Sequence, residues 1–235
     1  MPTDQTDPFH FLRSLSLFAK LPLRDVEGIA YACQFGMFGP DEYIVMEGEE
    51  EPYSSFIVVS GRVAMLKSSI SGKELIVQLL EAGDVFSLLL MLQGEDLPVQ
   101  LSARTMSSTT VLWVPAAQFR YLLNQYPDLY RELFAELISM LQKSYRLSLG
   151  LAHDHVDVRI ASALSTLAQK TGSSSHDCTV YLTRQQLADL TGTTSETAIR
   201  VTRAMQKQGL LDIGRRGKNR IPSLNRLEEV AQCWT

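Results

Sequence analysis

The sequence has few cysteines and none of the segments that direct a chain into or across a membrane. Its three cysteines, Cys33, Cys178 and Cys233, are far apart and form no CxxC pair, which argues against a disulfide framework, a zinc site and a cysteine-ligated cluster. No apolar run approaches the roughly 18 residues of a membrane span. The opening MPTDQTDPFHF has neither a basic n-region nor an apolar h-region. These absences predict a cytoplasmic protein with no metal site and no membrane partner.

Motifs of the common enzyme classes are missing as well. The chain contains no phosphate-binding loop, no GxSxG, no HExxH and no clustered acid–base pair. One run of carboxylates fits a solvated turn better than a catalytic site; it consists of Glu47, Glu49, Glu50 and Glu51. We therefore expect a binding protein and not an enzyme.

Positive charge is concentrated in one short segment of an acidic chain. The formal net charge of the whole is −4. Between Arg184 and Arg226 there are nine Lys or Arg against three Asp or Glu, a net of +6, while the remainder has 13 basic and 23 acidic residues, a net of −10. A solvated helix face would explain one basic stripe, but a basic module of this kind is typical of attraction to nucleic-acid phosphates.

The same segment has the pattern of two helices joined by a glycine turn. Thr183 and Gln186 predict a capping box that opens the first helix, and Gly192 predicts its end. Thr193 and Glu196 predict a second capping box at the start of the next helix. Beyond it, residues 210–214 and 220–223 bracket RGKN as a hairpin, or wing.

The second helix of this motif has four charged residues on one face. Their steps of four, three and four bring together Glu196, Arg200, Arg203 and Lys207. An arginine can donate two hydrogen bonds to guanine, and a glutamate can accept one from cytosine N4. We expect contacts to double-stranded DNA from both helices, their caps and the wing, namely from Thr183, Thr194, Ser195, Glu196, Arg200, Arg203, Lys207, Arg215, Arg216 and Lys218.

The N-terminal half has glycines at regular intervals, with short apolar or alternating segments between them. The spacings are 13, 11 and 11 residues, at Gly48, Gly61, Gly72 and Gly83. Turn signals at this spacing favour antiparallel strands in a barrel or sandwich. Helices are predicted before the sheet at Phe9–Lys20 and Arg24–Cys33, and after it from Pro115.

Pro127 opens the longest predicted helix, which has no glycine before Gly150. One series on it consists of Leu133, Leu137, Met140, Ser144, Leu147 and Leu151, and an adjacent one of Phe134, Ile138, Leu141 and Tyr145. Each series forms a mainly apolar seam along the helix. A helix with two such seams can pack against its own domain and against a second copy of itself. We expect the first series to form a homodimer interface, because DNA readers with one reading helix per chain pair on two half-sites. The alternative is a helix buried inside one domain.

These patterns predict an α+β fold with three parts. Residues 1–126 would form an antiparallel β-barrel or jelly roll, residues 127–153 a dimerisation helix with its hinge, and residues 154–235 a winged helix-turn-helix.

With a barrel, a long helix and a winged helix-turn-helix in this order and spacing, the chain resembles the CRP/FNR family of bacterial transcription regulators. The resemblance lies in Gly48, Gly61, GKELIVQLLEAGDVF (72–86) and LTRQQLADLTGTTSETAIRV (182–201). It implies a cyclic-nucleotide-binding-like sensor barrel, a homodimer on a palindromic operator, and RNA polymerase as a partner.

The resemblance also implies roles for residues of the second helix. It places Glu196 and Arg200 at the principal base-reading positions. Ser195 stands where some members have another arginine, and Ile199 replaces a serine of the oxygen-sensing members. The half-site is therefore expected to keep a central G and C and to differ at its flanks.

The sensor region departs from the cyclic-nucleotide binders of the family, which have a Gly-Glu pair after the Gly-Asp turn and later an Arg-Ser/Thr-Ala triplet. Ser87 and Leu88 stand at the first pair, and residues 99–101 read Val-Gln-Leu at the triplet. Arg104 is the nearest arginine, but its three-residue offset on a strand makes it an unconvincing substitute. Control by cyclic AMP is not expected.

The apolar segment Val85–Leu92 next to the pocket leaves two interpretations open. It can be core packing, or it can line a site for haem or another apolar ligand, as in a haem-dependent gas or redox sensor of the family. Conceivable axial ligands are His10, Cys33 and Met37. The sequence does not identify a cofactor. Two further alternatives are a dimer that binds no ligand and a ligand-independent protein-interaction module.

Overall fold

The structure is a computed structural model that describes residues 7–49, 54–86, 98–170, 176–215 and 217–232. The chain forms two compact units. The first consists of residues up to Lys67 and of Gln78–Leu141, and the second of Ser68–Val77 and the residues from Gln142 onwards. The predicted α+β class, with an N-terminal antiparallel part and a C-terminal helix-turn-helix, is confirmed.

Three short helices open the first unit: α1 (Pro8–Ser14), α2 (Ser16–Ala19) and α3 (Leu23–Ala32). Asp7 caps α1 by accepting a hydrogen bond from the backbone N–H of Phe9 at 3.0 Å. The prediction of one continuous helix over residues 9–20 is wrong, because Leu15 has an extended backbone with φ −87° and ψ 136°. This break places Leu12 and Phe18, both fully buried, in the same core.

In the described residues up to Pro115, eight strands form two four-stranded antiparallel sheets. They are β1 (Gln34–Phe38), β2 (Tyr43–Val45), β3 (Ser54–Ser60), β4 (Val63–Ser68), β5 (Glu74–Leu80), β6 (Val85–Phe86), β7 (Ser102–Thr105) and β8 (Thr109–Pro115). The sheet orders are β1-β8-β3-β6 and β2-β7-β4-β5. Non-consecutive strands are therefore neighbours, as in a jelly roll.

The regularly spaced glycines lie between these strands with positive φ. Gly61, at φ 87°, is the most constrained, because a Cβ atom there would lie 2.5 Å from the carbonyl oxygen of Ser108 and 2.7 Å from the Cα of Thr109. Only glycine fits such a turn without moving the backbone opposite it.

Two helices follow the sheets: α4 (Ala116–Gln125) and α5 (Pro127–His153). In the first part of α5, Leu129 and Leu133 belong to a core that also contains Phe18, Ile57 and Phe119. Burial of each large side chain contributes about 1.5–3 kcal/mol to folding. The start of α5 is thus fixed to its own unit.

The two seams of α5 differ in exposure. Leu133 is only 3 % exposed inside its own unit and is not free to contact a partner, which corrects its assignment to a dimer interface. Leu137, Met140, Leu147 and Leu151 are half-buried and Ser144 is exposed. The adjacent seam is open to solvent, at Phe134 (60 %), Ile138 (55 %), Leu141 (49 %), Tyr145 (59 %) and Leu149 (59 %). At 100° per residue the two seams lie about 120° apart around the helix.

Besides the end of α5 and the start of β5, the described residues of the second unit form a three-stranded sheet and four helices. They are α6 (Val156–Lys170), β9 (His176–Tyr181), α7 (Arg184–Thr191), α8 (Ser195–Lys207), β10 (Asp212–Ile213), β11 (Lys218–Ser223) and α9 (Leu224–Gln232). The antiparallel sheet has the order β10-β11-β9. Fully or almost fully buried side chains of this unit include Ile160, Leu164, Leu187, Leu211, Ile221 and Leu227. Within the described ranges, no helix combines the length and the apolar character that a bilayer crossing requires.

Candidate nucleic-acid interface

Helix α7 begins at the predicted capping box. Thr183 Oγ1 accepts from the backbone N–H of Gln186 at 3.1 Å, and Gln186 Oε1 accepts from the N–H of Thr183 at 2.9 Å. The helix ends at Gly192, whose left-handed backbone (φ 60°, ψ 42°) turns the chain toward α8. The turn predicted between two helices is therefore present.

Helix α8 begins one residue later than the second predicted capping box requires. Its N-cap is Thr194, whose hydroxyl accepts from the N–H of Thr197 at 3.2 Å. The prediction that Thr193 and Glu196 cap this helix is therefore wrong. Glu196 is the second residue of α8 and its side chain is exposed. In this first turn its negative charge is favourable to the helix dipole.

The two faces of α8 are sharply different. Ala198, Val201, Thr202 and Met205 are buried and hold the helix on its unit. The opposite face is exposed and contains the four predicted charged residues Glu196, Arg200, Arg203 and Lys207. A surface groove of about 530 Å³ follows this face and is lined by these four residues together with Ile199 and Ala204.

The predicted wing is the turn between β10 and β11. Gly214 N–H donates to the carbonyl of Lys218 at 2.7 Å, and Lys218 N–H donates to that of Arg215 at 3.2 Å. Arg215 and Lys218 are both exposed. Arg216 lies outside the described residues.

A buried asparagine that the sequence analysis did not single out connects the wing to α7. Asn219 is fully buried, and its Nδ2 donates to the carbonyl oxygens of Leu182 at 3.1 Å and Gly217 at 2.8 Å. Leu182 immediately precedes the cap of α7. Together with the backbone hydrogen bond from Leu182 N–H to the carbonyl of Gly217 at 2.9 Å, this side chain connects the wing to the start of the first motif helix.

Not every basic residue of the module is available to phosphates. Arg220 Nε donates to Asp177 Oδ1 at 2.5 Å and its Nη1 to Asp212 Oδ2 at 2.7 Å. The hydrogen bond from Arg220 holds the pKa of Asp177 below its usual value, and the hydrogen bonds to Asp177 and Asp212 raise the pKa of Arg220. Arg220 therefore bridges the strands of the small sheet.

Ser195, predicted to contact DNA, is directed at its own unit. Its Oγ donates to Gln185 Oε1 of α7 at 2.5 Å. Gln185 was not among the predicted site residues, because a contact between two helices leaves no periodic signal in the sequence.

The triplet region of the sensor barrel has neutral side chains at the positions where the resemblance places an Arg-Ser/Thr-Ala. Val99 is buried, and its backbone pairs with Gly48 (2.9 Å) and Glu49 (3.0 Å). Gln100 Nε2 donates to the carbonyl of Pro98 at 3.0 Å. Arg104 Nη1 donates to Tyr43 Oη at 3.3 Å, and its guanidinium lies 5.6 Å from the centre of that ring. Ser87 and Leu88 lie outside the described residues.

The three conceivable haem ligands have dissimilar surroundings. Burial raises the pKa of the Cys33 thiol to about 12, so burial disfavours the thiolate form that a metal would require. His10 and Met37 are exposed, and His10 Nδ1 lies 2.6 Å from Asp7 Oδ2. In the part of the chain that the structure describes, no three or more His, Cys, Asp or Glu side chains are grouped so as to hold a metal ion.

Comparison with known proteins agrees with this organisation. The family model of the cyclic nucleotide-binding domain matches residues 37–126, and that of the Crp-like helix-turn-helix domain matches residues 158–230. The cAMP-activated global transcriptional regulator CRP of Escherichia coli O157:H7 is 27% identical over 182 residues, which is 76% of this chain and 85% of that protein. The cAMP-activated global transcriptional regulator Vfr of Pseudomonas aeruginosa is 28% identical over 162 residues, 67% of this chain and 76% of its own.

Solved structures share the fold. FixK2 from Bradyrhizobium japonicum has a TM-score of 0.73 at 24% identity and covers 84% of this chain and 96% of its own. A transcriptional regulator of the CRP/FNR family from Eubacterium rectale has a TM-score of 0.73 at 18% identity, over 93% of this chain and 98% of that one. With both family models in chain order, the chain belongs to the CRP/FNR family of transcription regulators, which are not enzymes.

Proposed function

We propose that this regulator acts as a homodimer on a palindromic operator and reads its bases with Glu196 and Arg200. The observation on which the proposal depends is the exposed face of α8, where these two side chains project from a helix whose other face is buried. Arg200 would donate to O6 and N7 of a guanine, and Glu196 would accept from N4 of a cytosine.

The remaining contacts would be of two kinds. Ile199 is half-buried in the same groove and offers an apolar side chain that suits a thymine methyl group. The other contacts would be to phosphates, from Arg203 and Lys207 of α8, from Thr183 and Thr194 at the helix caps, and from Arg215, Arg216 and Lys218 of the wing. Such contacts position the protein without selecting sequence.

The proposed dimer would form through the exposed seam of α5. Phe134, Ile138, Leu141, Tyr145 and Leu149 lie on one side of the helix with about half or more of each side chain in solvent. An apolar stripe of this kind on a long helix favours pairing with a second copy. The half-buried residues of the adjacent seam (Leu137, Met140, Leu147 and Leu151) would flank this contact, and Ser144 would lie at its side.

We propose that cyclic AMP is not the signal for this chain, although the relatives named above are cAMP-activated. A cyclic phosphate requires a cation in a water-poor pocket, and an arginine provides it best. Here the corresponding residues are Val99, Gln100 and Leu101. The surroundings of His10, Cys33 and Met37 do not favour haem either.

The proposed division of labour follows the chain. Residues 1–126 would act as the sensor, residues 127–153 as the dimerisation helix with its hinge, and residues 154–235 as the DNA-binding domain. A ligand that favoured one packing of the α5 pair would shift the population in which both reading helices fit their half-sites. The complex would act in the cytoplasm, with RNA polymerase as its partner.

The proposal is tested by selecting operators from random double-stranded DNA with the purified protein. We expect a palindromic consensus, and Arg200→Ala should weaken binding to it by about 1–3 kcal/mol per half-site. Arg131→Ala is the matched control, since Arg131 is an exposed arginine of α5 outside the reading face. Failure to enrich any consensus, or unchanged operator affinity of Arg200→Ala, would contradict the assignment.

A further inference from the structure

A chain of hydrogen bonds connects the two helices of the DNA-binding motif. Ser195, the first residue of α8, donates from Oγ to Gln185 Oε1 at 2.5 Å. Gln185, on α7, donates from Nε2 to Asp189 Oδ1 at 2.7 Å. Asp189 is 4 % exposed and lies one turn further along α7.

The order of donors and acceptors in this chain is fixed by its buried end. The carboxylate of Asp189 accepts, so the amide nitrogen of Gln185 must point toward it. The amide oxygen of Gln185 then faces the other way and accepts from Ser195. A serine hydroxyl has a single hydrogen, so the Ser195 hydrogen used in this bond is not available to a DNA base.

The hydrogen-bonded side chains lie next to Glu196, the residue proposed to read a base. Ser195 directly precedes Glu196, and only Gly192, Thr193 and Thr194 separate α7 from α8. Ala188 of α7 and Ala198 of α8 are both fully buried. The hydrogen bond that Ser195 donates to Gln185 attaches the end of α8 from which Glu196 projects. A rotation of this end would move the Glu196 carboxylate away from its base.

We propose that Gln185 is a positioning residue that fixes the orientation of Glu196, and that Ser195 serves as its internal partner and not as a contact to DNA. The proposal rests on the reading role proposed above for α8. It removes Ser195 from the predicted set of DNA contacts and adds Gln185, which would act through Glu196.

The competing role for Gln185 is a direct contact to a phosphate, since part of this side chain is exposed. The two roles differ in a measurable way. A phosphate contact contributes to binding of every sequence and to its salt dependence. A positioning residue contributes only where Glu196 has its correct base, so its loss affects the operator and not random DNA.

The experiment uses the full chain, the operator selected with it and a random duplex of the same length. Binding to both duplexes is measured at the same salt concentration. Gln185→Met removes the amide at similar length, and Ser195→Ala removes the hydroxyl. We expect each variant to bind the operator about 3- to 10-fold more weakly, with unchanged affinity for the random duplex, and the double variant to be no weaker than the weaker single one. Ser195→Thr, which keeps the hydroxyl, should retain operator affinity, and Gln206→Met serves as the control for an exposed glutamine of α8.

Several outcomes would overturn the proposal while the function proposed above stands. These are losses that multiply in the double variant, equal losses on operator and random DNA, and no loss at all. Thermal unfolding of each variant shows whether the fold is retained, and Ser195→Ala, the smaller change, decides the matter if Gln185→Met unfolds. If the wild-type protein itself selects no operator, the function proposed above fails, and this result is recognisable before any variant is made.

Discussion

Asp177 accepts a hydrogen bond from Arg220 across β9 and β11, with 2.5 Å between Oδ1 and Nε. The same guanidinium also reaches Asp212 on β10. All three strands of the small sheet are therefore connected through one arginine. Its charge is balanced by two carboxylates, so the basic module presents less positive charge to DNA at this position than the sequence suggests.

This arrangement predicts opposite behaviour for two basic residues of β11. Lys218→Gln should weaken binding to all DNA sequences and reduce the slope of log affinity against log salt by about 1, because one phosphate contact is lost. Arg220→Gln should leave the slope unchanged and instead lower the melting temperature of the protein. Fluorescence anisotropy over a salt series, with thermal unfolding of both variants, measures the two effects. A reduced slope in Arg220→Gln would show that this arginine contacts phosphate after all.

The Asp177–Arg220 pair also predicts a dependence of stability on pH. The pKa of Asp177 lies below its usual 3.8 in the folded protein, chiefly because of the hydrogen bond from Arg220. The unfolded chain therefore takes up this proton first as the pH falls. The stabilisation is present at neutral pH and is lost as the pH drops below about 4.

Asp177→Asn is a suitable variant for this measurement, since Asp177 has φ 62° and asparagine also tolerates the left-handed region. The unfolding midpoint of the wild-type protein should exceed that of the variant at neutral pH, and the difference should shrink toward about pH 3. A difference that stayed constant over this range would argue against the ion pair as its source.

The rules of helix capping and helical spacing are sufficient to predict those parts of the site that are built from residues close together in the sequence. The capping box of Thr183 and Gln186, the left-handed Gly192 and the charged face of α8 follow from helix spacing and backbone chemistry. The cap of α8 was misplaced by one residue because both Thr193 and Thr194 are suitable caps, and only the path of the turn selects between them. The break at Leu15 was missed for a similar reason, since the run 9–20 contains no proline or glycine.

Hydrophobic periodicity does not show which face of a helix packs against the rest of its unit, or which side chains meet between two helices. Both seams of α5 are apolar at helical spacing, and the sequence does not indicate which one the first unit covers. The structure buries Leu133 and leaves Phe134 open, although they are adjacent. The hydrogen bond between Ser195 and Gln185 likewise joins residues of two different helices, ten positions apart in the sequence.

The exposed seam of α5 predicts how the proposed dimer can be separated. Ile138→Glu would place a carboxylate in the centre of the proposed contact, and burial of an unpaired charge costs several kcal/mol per ion. We expect sedimentation velocity to show a monomer at concentrations where the wild-type protein is a dimer, together with weaker operator binding. Lys143→Gln changes the charge by the same amount on the opposite side of the helix and should remain dimeric. A dimeric Ile138→Glu would place the interface elsewhere.

The neutral triplet region predicts that calorimetry detects no binding of cyclic AMP to the purified protein. The cyclic phosphate would have to leave water without a cation to replace its hydration, because Val99 is buried and apolar and the Gln100 amide is bonded to Pro98. The cAMP-activated relative from Escherichia coli O157:H7, titrated under the same conditions, is the positive control. Saturable heat with one site per protomer would contradict the prediction and point to Arg104 as the cation, moved from Tyr43 toward the pocket. In that case Arg104→Gln would abolish the heat, which separates a displaced phosphate site from binding elsewhere on the protein.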